Sequence, residues 1–389
     1  MVKIKEVSAT AILDSRNEKT ILVSIKTNAG NFSASAPTGK STGKFEAKPY
    51  IKSIDDDIKK IKQISEYFSD EDIVNFYDLR KVEAICEGHI GANTLFALES
   101  AVLKAMAKEQ KKQVWQLINL KAKQLPRLVG NVIGGGKHSK SDKKPDFQEF
   151  LLIPNTKTIK QAFELNKKIK QEAEFLLKKF DETFKSQKND ENAWQTSLNE
   201  KLVMDILYKL KEMFGLDIGL DVASSSFYSR KKYHYLNPKL DRTNEEQVEY
   251  ISNLISNFNL FYIEDSFNEE NFESFSKLLK KFPKSLIVGD DLVVTNHERL
   301  KKAIQFKAIN SIIIKPNQNG SLLEVARICE LAKKHNIKLV FSHRSGETEE
   351  NILADLAFGF GADFFKCGID GKERESKIKR LIEIEGSLK

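Results

Sequence analysis

From about residue 124 onward, short apolar segments alternate with longer amphipathic segments. Seven of the apolar segments have the character of buried strands: 148–153, 218–222, 260–264, 285–290, 311–315, 338–342 and 363–366. Near-continuous apolar strands that alternate with helices are typical of a parallel sheet with both faces covered. A region of about 265 residues has the usual size of a closed (β/α)8 barrel, also called a TIM-like barrel. An open, doubly wound sheet is the alternative that this pattern leaves open.

The first 123 residues show a different order, with strands first and helices afterwards. Three segments rich in Val, Ile, Thr and Ser read as strands: 3–13, 19–27 and 31–36. Between residues 51 and 120 the apolar residues recur at helical spacing instead. We therefore predict an N-terminal α+β capping domain over residues 1–123, packed tightly against a C-terminal barrel domain over residues 124–389. The fold class is α/β.

Composition narrows the class of protein. The 389 residues are 40% hydrophobic and 30% charged, which is ordinary for a globular chain. The formal net charge of +8 would attract anions in general. The excess lysines are scattered along helical segments without interleaved aromatic residues, which favours a solvated surface or an anionic metabolite over a nucleic-acid face.

Cysteine usage and the N-terminal segment predict the cellular location. Cys86, Cys329 and Cys367 have no CxxC spacing and form no even set, as expected for reduced thiols. The N-terminal segment lacks the apolar core of a signal peptide, and no run reaches the roughly 18 apolar residues of a membrane helix. We therefore predict a cytoplasmic protein with no membrane segment and no specific nucleic-acid partner.

Six consecutive predicted strands end in an ionisable residue. These are Asp221, Glu264, Asp290, Lys315, His343 followed by Arg344, and Lys366. In a barrel the carboxyl ends of the strands meet on one face, where active sites lie. A single strand-end acid can be explained by pairing with a lysine or by capping a helix. Six in succession predict a functional site.

Three of these strand-end residues are carboxylic acids. Brought together, they would raise one another's pKa unless a cation neutralised them. A hard divalent ion with oxygen ligands fits such a set, and the absence of Cys or paired His at these positions argues against zinc. Mg²⁺ held by Asp221, Glu264 and Asp290 is the predicted cofactor.

The strand-end cations suit a substrate that carries both phosphate and carboxylate groups. Lys315 follows three isoleucines directly, so we expect desolvation and nearby cations to lower its pKa towards the range useful for a general base. The alternative is that Lys315 only pairs with a carboxylate that binds the metal.

Short motifs along the whole chain carry a resemblance to one family. In order, they are Ile-Leu-Asp-Ser-Arg (12–16), Pro-Thr-Gly-Lys-Ser-Thr-Gly (37–43), Gly-Ala-Asn (91–93), Gly-Gly-Lys-His (135–138), Gln-Glu-Phe (148–150), Leu-Asp-Val-Ala-Ser-Ser (220–225), Ile-Glu-Asp (263–265), Gly-Asp-Asp-Leu (289–292), Lys-Pro-Asn-Gln (315–318), Ser-His-Arg-Ser-Gly-Glu-Thr-Glu (342–349) and Lys-Cys-Gly (366–368). The chain resembles enolase, the phosphopyruvate hydratase. The resemblance implies a barrel that starts ββαα, and a homodimer or higher homo-oligomer. It also implies a Mg²⁺-dependent lyase of glycolysis that interconverts 2-phosphoglycerate and phosphoenolpyruvate.

The resemblance also implies a role for each site residue. Asp221, Glu264 and Asp290 would hold the first Mg²⁺, and Ser41 would join the second, which arrives with the substrate. Lys315 would remove the proton at carbon 2, and Glu191 would protonate the leaving hydroxyl at carbon 3. His138 and Glu149 would line the pocket near that hydroxyl. His343, Arg344 and Ser345 would bind phosphate, and Lys366 would contact the substrate carboxylate.

Several positions depart from the family pattern. Asn17 follows Arg16 where a glycine is usual, Asn192 replaces a glycine in the loop that carries Glu191, and Ser226, Ser266, Pro316 and Cys367 also differ. Asn is the non-glycine residue that best tolerates a positive φ, so the Glu191 loop is expected to survive. The chain is also shorter than typical enolases, which indicates a divergent member.

Two other functions remain open from the sequence. A degenerate enolase paralogue could act as a non-catalytic binding or regulatory protein, although a dead site has no physical reason to keep buried like charges. An acid-sugar dehydratase or racemase of the same superfamily would share the metal acids. The phosphate-binding residues fit that alternative less well.

Overall fold

The computed structural model describes residues 1–40, 43–139 and 141–388 of the chain. An antiparallel sheet opens the fold. Its strands are β1 (Val2–Leu13), β2 (Lys19–Thr27), β3 (Gly30–Ser35) and β4 (Asp72–Ile73). The strand order is β3-β2-β1-β4, and the first three strands, which the sequence predicts, pair as an antiparallel meander.

Helices pack against this sheet and reach the second part of the molecule. They are α1 (Ile54–Ile64), α2 (Leu79–Cys86), α3 (Ala92–Glu109) and α4 (Val114–Ile118). Helix α3 is buried along most of its length because it lies against β2 and β3 on one side and the barrel on the other. The Glu99 carboxylate of α3 accepts a hydrogen bond from the backbone amide of Leu322 in the barrel (2.7 Å), which ties the two parts together.

Strands and helices then alternate along the chain. The strands are β5 (Arg127–Gly134), β6 (Glu149–Ile153), β7 (Trp194–Gln195), β8 (Asp217–Asp221), β9 (Tyr228–Ser229), β10 (Lys232–Leu236), β11 (Lys239–Arg242), β12 (Tyr262–Glu264), β13 (Leu286–Gly289), β14 (Ser311–Ile314), β15 (Lys338–Ser342) and β16 (Phe364–Lys366). The helices are α5 (Ile159–Phe180), α6 (Glu200–Phe214), α7 (Asn244–Phe258), α8 (Phe272–Lys281), α9 (His297–Gln305), α10 (Leu322–Lys334), α11 (Ile352–Gly359) and α12 (Lys372–Ser387).

Local sequence explains where most of these helices begin. A polar side chain accepts a hydrogen bond from the first helical turn at Thr158, Asn199, Thr243, Asn271, Asn296 and Ser321. Such caps satisfy backbone amides that have no partner within the helix. Helix α6 ends at Gly215, whose φ of 64° is a conformation that glycine adopts without strain.

The second sheet closes into a barrel. Strands β5, β6, β8 and β12 to β16 form the ring, and β16 pairs in parallel with β5, with Phe365 opposite Leu128. Strand β6 is antiparallel to both β5 and β8, whereas the later neighbours are parallel. Two strands followed by α5 and α6 give the ββαα start that the family resemblance implies. The (β/α)8 barrel is therefore confirmed, and the open sheet is excluded.

The sequence reading missed one strand of this ring, β5. Its apolar residues are interrupted by Gly130 and Gly134, which weakened the strand pattern. A side chain at residue 130 would come within 2.8 Å of the Ile369 side chain, so close packing accounts for that glycine. The small antiparallel sheet of β9, β10 and β11, which follows β8, was also not predicted.

Apolar side chains fill the interior of the ring. They are Val129, Leu151, Ile153, Tyr262, Leu286, Val288, Ile313, Val340 and Phe364. Each such side chain contributes roughly 1.5–3 kcal/mol by burial. This packed interior lies beneath the carboxyl ends of the strands and supports the side chains there. Among the described residues, no helix is both long enough and apolar enough to cross a membrane.

Candidate active site

A cavity of about 280 Å³ opens at the carboxyl ends of the barrel strands. Ten predicted site residues line it: His138, Glu149, Glu191, Asp221, Asp290, Lys315, His343, Arg344, Ser345 and Lys366. Glu264 lies just behind them and is fully buried. Ser41, predicted to join the second metal ion, lies outside the described residues.

Strand register places three acids side by side in this cavity wall. Glu149 on β6 is paired with Asp221 on β8, and Asp221 is paired with Glu264 on β12. The ammonium of Lys366 lies among them, 3.0 Å from Asp221 Oδ2, 2.8 Å from Glu264 Oε2 and 3.3 Å from Glu149 Oε2. Lys366 is therefore the cation that the acids share in this structure.

The electrostatics of these acids follow from their burial. Burial and the neighbouring Asp221 carboxylate raise the pKa of Glu264 to about 8, although Lys366 opposes the shift. Burial and Glu191 likewise raise the pKa of Glu149 well above its ordinary value. These shifts show that one ammonium does not fully compensate the buried negative charge.

The acids fit a divalent metal ion. Glu264 Oε1 and Asp290 Oδ1 are buried and have no hydrogen-bond partner among the residues that the structure describes. Buried carboxylate oxygens without a partner are costly, and hard oxygen donors are the ligands that Mg²⁺ prefers. The prediction of an acidic metal-binding group at the strand ends agrees with this chemistry.

A second acidic group adjoins Asp290. One carboxylate oxygen from each of Asp265, Asp290 and Asp291 lies within 4.8 Å of the others. Both oxygens of Asp265 already accept backbone hydrogen bonds, from Asp290 N (3.0 Å) and Asp291 N (2.7 Å). Asp265 therefore fixes the backbone that carries Asp290.

Lys315 lies on the opposite side of Asp290, and its ammonium pairs with Asp290 Oδ2. Burial is the largest single influence and disfavours the charged ammonium, but the carboxylates of Asp290 and Glu264 together outweigh it and raise the pKa of Lys315. The expectation of a lowered pKa is therefore wrong for this structure. The sequence could not show that the Asp290 carboxylate would approach the lysine so closely.

Glu191 also lines the cavity. His138 Nδ1 lies 3.5 Å from Glu191 Oε1, and His343 Nε2 lies 3.7 Å from Glu191 Oε2. Burial lowers the pKa of His138, and it lowers that of His343 to about 3. Burial would raise the pKa of Glu191, but His138, His343 and Arg374 together lower it. The cations around Glu191 therefore favour its ionised form, whereas burial favours neutral imidazoles.

The loop that carries Glu191 is built by its own asparagines. Asn189 Oδ1 accepts hydrogen bonds from the backbone amides of Glu191 (3.0 Å) and Ala193 (2.9 Å). Asn192 has a φ of 64°, and its side-chain amide donates to the carbonyl of Asp370 (3.2 Å). The position does need a positive φ, as the sequence argument supposed, and asparagine meets that need.

The predicted phosphate-binding residues lie on the loop after β15. The Arg344 guanidinium donates to both oxygens of Glu46, at 3.0 and 3.3 Å, and to Asn317 Oδ1 at 3.2 Å. Ser345 Oγ accepts from the backbone amide of Lys40 at 2.8 Å. Both side chains are thus held by residues that sequence reasoning did not single out.

Comparison with known proteins identifies the family. Residues 122–389 match the family model for the enolase C-terminal TIM barrel domain. The chain belongs to the enolase family. The enolase of Methanosphaera stadtmanae is 36% identical over 405 aligned residues, which cover 99% of this chain and 97% of that protein. The enolase of Archaeoglobus fulgidus is 35% identical, covering 98% and 97% respectively. The enolase of Pyrobaculum aerophilum is 43% identical over 270 residues, covering 68% and 64%.

These relatives confirm two predictions. The enzyme class, phosphopyruvate hydratase, is confirmed by full-length similarity to several enolases. The description of a divergent enolase is confirmed by identities of 35% and 36% over nearly the whole chain.

Sequence reasoning missed three residues that support the enolase site. Asn131 Nδ2 donates to Glu191 Oε2 (3.1 Å), Glu46 holds Arg344, and Asp265 holds the Asp290 backbone. Asp265 had a signal, since it directly follows the strand-end acid Glu264. Asn131 lies on the strand that was missed, and nothing in the sequence near Glu46 indicated its partner.

Proposed function

We propose that this enolase catalyses the reversible, Mg²⁺-dependent dehydration of 2-phosphoglycerate to phosphoenolpyruvate. The observation that supports this most directly is that one cavity is lined by a candidate base, Lys315, and a candidate acid, Glu191, together with cations suited to phosphate and carboxylate. Elimination of water from a 2-phospho-3-hydroxy acid needs each of these groups.

Lys315 is the proposed base that takes the proton from carbon 2. A base must be neutral before it accepts a proton, and Asp290 currently favours the charged ammonium. Lys315 can therefore act as a base only when another cation shares the Asp290 carboxylate. The metal site and the base are thus linked through one residue.

Asp221, Glu264 and Asp290 are the proposed ligands of the first Mg²⁺, and Ser41 is proposed to join a second. Divalent cations bound there would stabilise the negative charge that develops on the substrate carboxylate as carbon 2 loses its proton. Lys366, which lies among these acids, is proposed to bind the same carboxylate.

Glu191 is the proposed acid that protonates the hydroxyl leaving carbon 3. It must hold a proton for that step, whereas its surroundings lower its pKa. An anionic substrate beside Glu191 would raise that pKa by repulsion. Glu149, whose pKa is raised, and His138 are titratable neighbours of Glu191, with ligand atoms of the three within 4.8 Å of one another.

Arg344, Ser345 and His343 are proposed to hold the phosphate end of the substrate. A guanidinium can present two parallel N–H groups to phosphate oxygens. Arg344 is buried and already oriented by Glu46 and Asn317, so little side-chain entropy remains to be lost on binding.

The deciding experiment measures phosphoenolpyruvate formation from 2-phosphoglycerate by ultraviolet absorbance, with Mg²⁺ and after chelation. Wild-type protein should turn over only with the metal, and Lys315→Ala and Glu191→Gln should each lose activity by at least ~10³-fold while staying folded. Lys301→Ala, which removes an exposed surface lysine, is the matched control and should leave activity unchanged. Absence of turnover by well-folded wild-type protein would favour the non-catalytic binding alternative instead.

Homodimer formation and a cytoplasmic location remain predictions. Sedimentation equilibrium of the purified protein and imaging of a tagged chain would test them.

A further inference from the structure

Asp190, which precedes the proposed acid Glu191, is held at two points. Lys40 Nζ lies 2.6 Å from Asp190 Oδ2, and Arg374 Nη2 donates to the Asp190 carbonyl at 3.0 Å. Arg374 is fully buried, and Asp190 exposes only 14% of its side chain. The main chain and the side chain of this residue are therefore both fixed by cations.

The same two residues, Lys40 and Arg374, also hold Ser345, the proposed phosphate-binding residue. Arg374 Nη2 donates to the Ser345 carbonyl at 2.8 Å, and the backbone amide of Lys40 donates to Ser345 Oγ at 2.8 Å. Lys40 and Arg374 thus form two parallel bridges between Asp190 and Ser345, residues that are far apart in the sequence.

Close packing keeps the Ser345 end of these bridges in place. Gly346 exchanges backbone hydrogen bonds with Thr38, at 2.7 and 2.9 Å. A side chain at residue 346 would come within 2.0 Å of Asp14 Oδ2 and 2.2 Å of Thr38 Oγ1. The loop after β15 therefore packs closely against the segment that carries Lys40. This packing fixes the position of Ser345.

We propose that Lys40 and Arg374 are positioning residues that hold the Glu191 loop at a set distance from the phosphate-binding loop. This inference rests on the proposed function. A substrate bound by its phosphate at Ser345 then finds the acid already placed opposite its hydroxyl. A misplacement of about 1 Å can cost roughly 100-fold in rate, so such bridges matter for catalysis.

The Lys40 side chain lies at the cavity, and its ammonium pairs there with Asp190. Its loss should therefore disturb the placement of the acid more than the affinity for the substrate. The expected signature is a fall in kcat with little change in KM, and this separates a positioning role from direct contact with the phosphate.

The test is a double-mutant cycle on Lys40→Met and Asp190→Asn, chosen because both side chains are partly exposed and tolerate replacement. Each single variant should lower kcat by about 10-fold with KM within about 2-fold, and the double variant should fall no further than the worse single variant. Lys40→Arg should restore kcat to within about 3-fold of wild type. Lys338→Met removes an ion pair of similar length (2.8 Å, to Asp363) at the amino ends of β15 and β16, away from the site, and should have no effect.

Wild-type turnover decides the proposed function, whereas the variants decide this inference. Unchanged kcat in both single variants, multiplicative losses, or a rise in KM alone for Lys40→Met would each overturn it. Hydrogen exchange at the amides of residues 191 and 193 gives a second readout that needs no turnover. It should quicken by at least about 3-fold in Lys40→Met and Asp190→Asn but not in Lys338→Met, and unchanged exchange would also overturn the inference.

Discussion

Glu264 lies directly beside Asp221 in the register of β12 and β8, and the Lys366 ammonium contacts both carboxylates. Two acids on neighbouring parallel strands are close enough to repel strongly where water is excluded. The raised pKa of Glu264, about 8, expresses that repulsion together with burial. The fold therefore maintains an electrostatically unfavourable arrangement, and this has measurable consequences.

Replacing Glu264 with Gln should change stability in opposite directions with and without metal. The folded-state pKa of about 8 lies above the ordinary 4.5, so metal-free wild type should lose stability as pH rises from about 4.5 to 8. Glu264→Gln removes this loss and should be at least as stable as wild type at pH 8 in chelator. Millimolar Mg²⁺ should raise the Tm of wild type but hardly that of the variant. Calorimetry measures the stability in chelator and the shift of Tm with Mg²⁺. Glu298→Gln, at an exposed side chain, is the control. Equal stabilisation of wild type and Glu264→Gln by Mg²⁺ would refute the metal assignment.

Arg344→Lys should weaken substrate binding. A lysine keeps the charge but cannot form the bidentate contact of a guanidinium or its contacts with Glu46 and Asn317. We expect KM for 2-phosphoglycerate to rise by about 10-fold or more, measured by steady-state kinetics. Arg327→Lys, at a side chain that is 72% exposed, is the matched control and should behave like wild type. An unchanged KM in Arg344→Lys would place the phosphate elsewhere.

Substitutions at Asn192 should separate backbone strain from hydrogen bonding. Asn192→Ala keeps a Cβ at a φ of 64° but loses the short polar side chain that helps asparagine adopt this conformation, so it should cost up to about 1–2 kcal/mol, shift the loop and lower kcat. Asn192→Gly relieves the strain and loses only the bond to the Asp370 carbonyl, so it should keep kcat within about 3-fold of wild type. Comparing the two variants by kinetics and thermal unfolding checks this order. Equal kcat and equal thermal stability of Asn192→Ala and Asn192→Gly would contradict this order.

Asp181 should stabilise the fold in a pH-dependent way. Although burial opposes the shift, hydrogen bonds from Thr196, Ser197 and Thr183 lower the pKa of Asp181 to about 2, from 3.8. Its stabilising contribution is therefore present above about pH 4 and is lost as pH falls through 2. Asp181→Asn should lose about 1–2 kcal/mol in urea unfolding at pH 7, and the difference from wild type should shrink below pH 4. Asp205→Asn, at an exposed position, serves as control, and a difference that persisted to pH 2 would disprove the assignment.

Much of the fold was predictable because buried strands appear in the sequence as short runs of apolar residues. Seven barrel strands were recognised as apolar runs, and their charged ends indicated which face would carry the site. Strand β5 was missed because its glycines, needed for close packing, interrupt the same apolar signal. The pattern that reveals a buried strand is weakest where the backbone packs most tightly.

Contacts between distant parts of the chain were not predictable. Glu46 and Arg344 are separated by 298 residues, and no periodicity connects them. The raised pKa of Lys315 likewise depends on how closely Asp290 approaches, a distance that residue types alone do not determine. The sequence could therefore indicate which groups meet but not which of them pair.

Closure of the ring through β16 against β5 also bears on how the enzyme is made. Lys366 ends the last strand, so the acids at Asp221 and Glu264 lack their shared cation until that strand has been synthesised and has docked beside the first. No partly active intermediate is therefore expected during translation. A chain truncated before β16 would leave the barrel sheet with an open edge, and such edges are prone to aggregate.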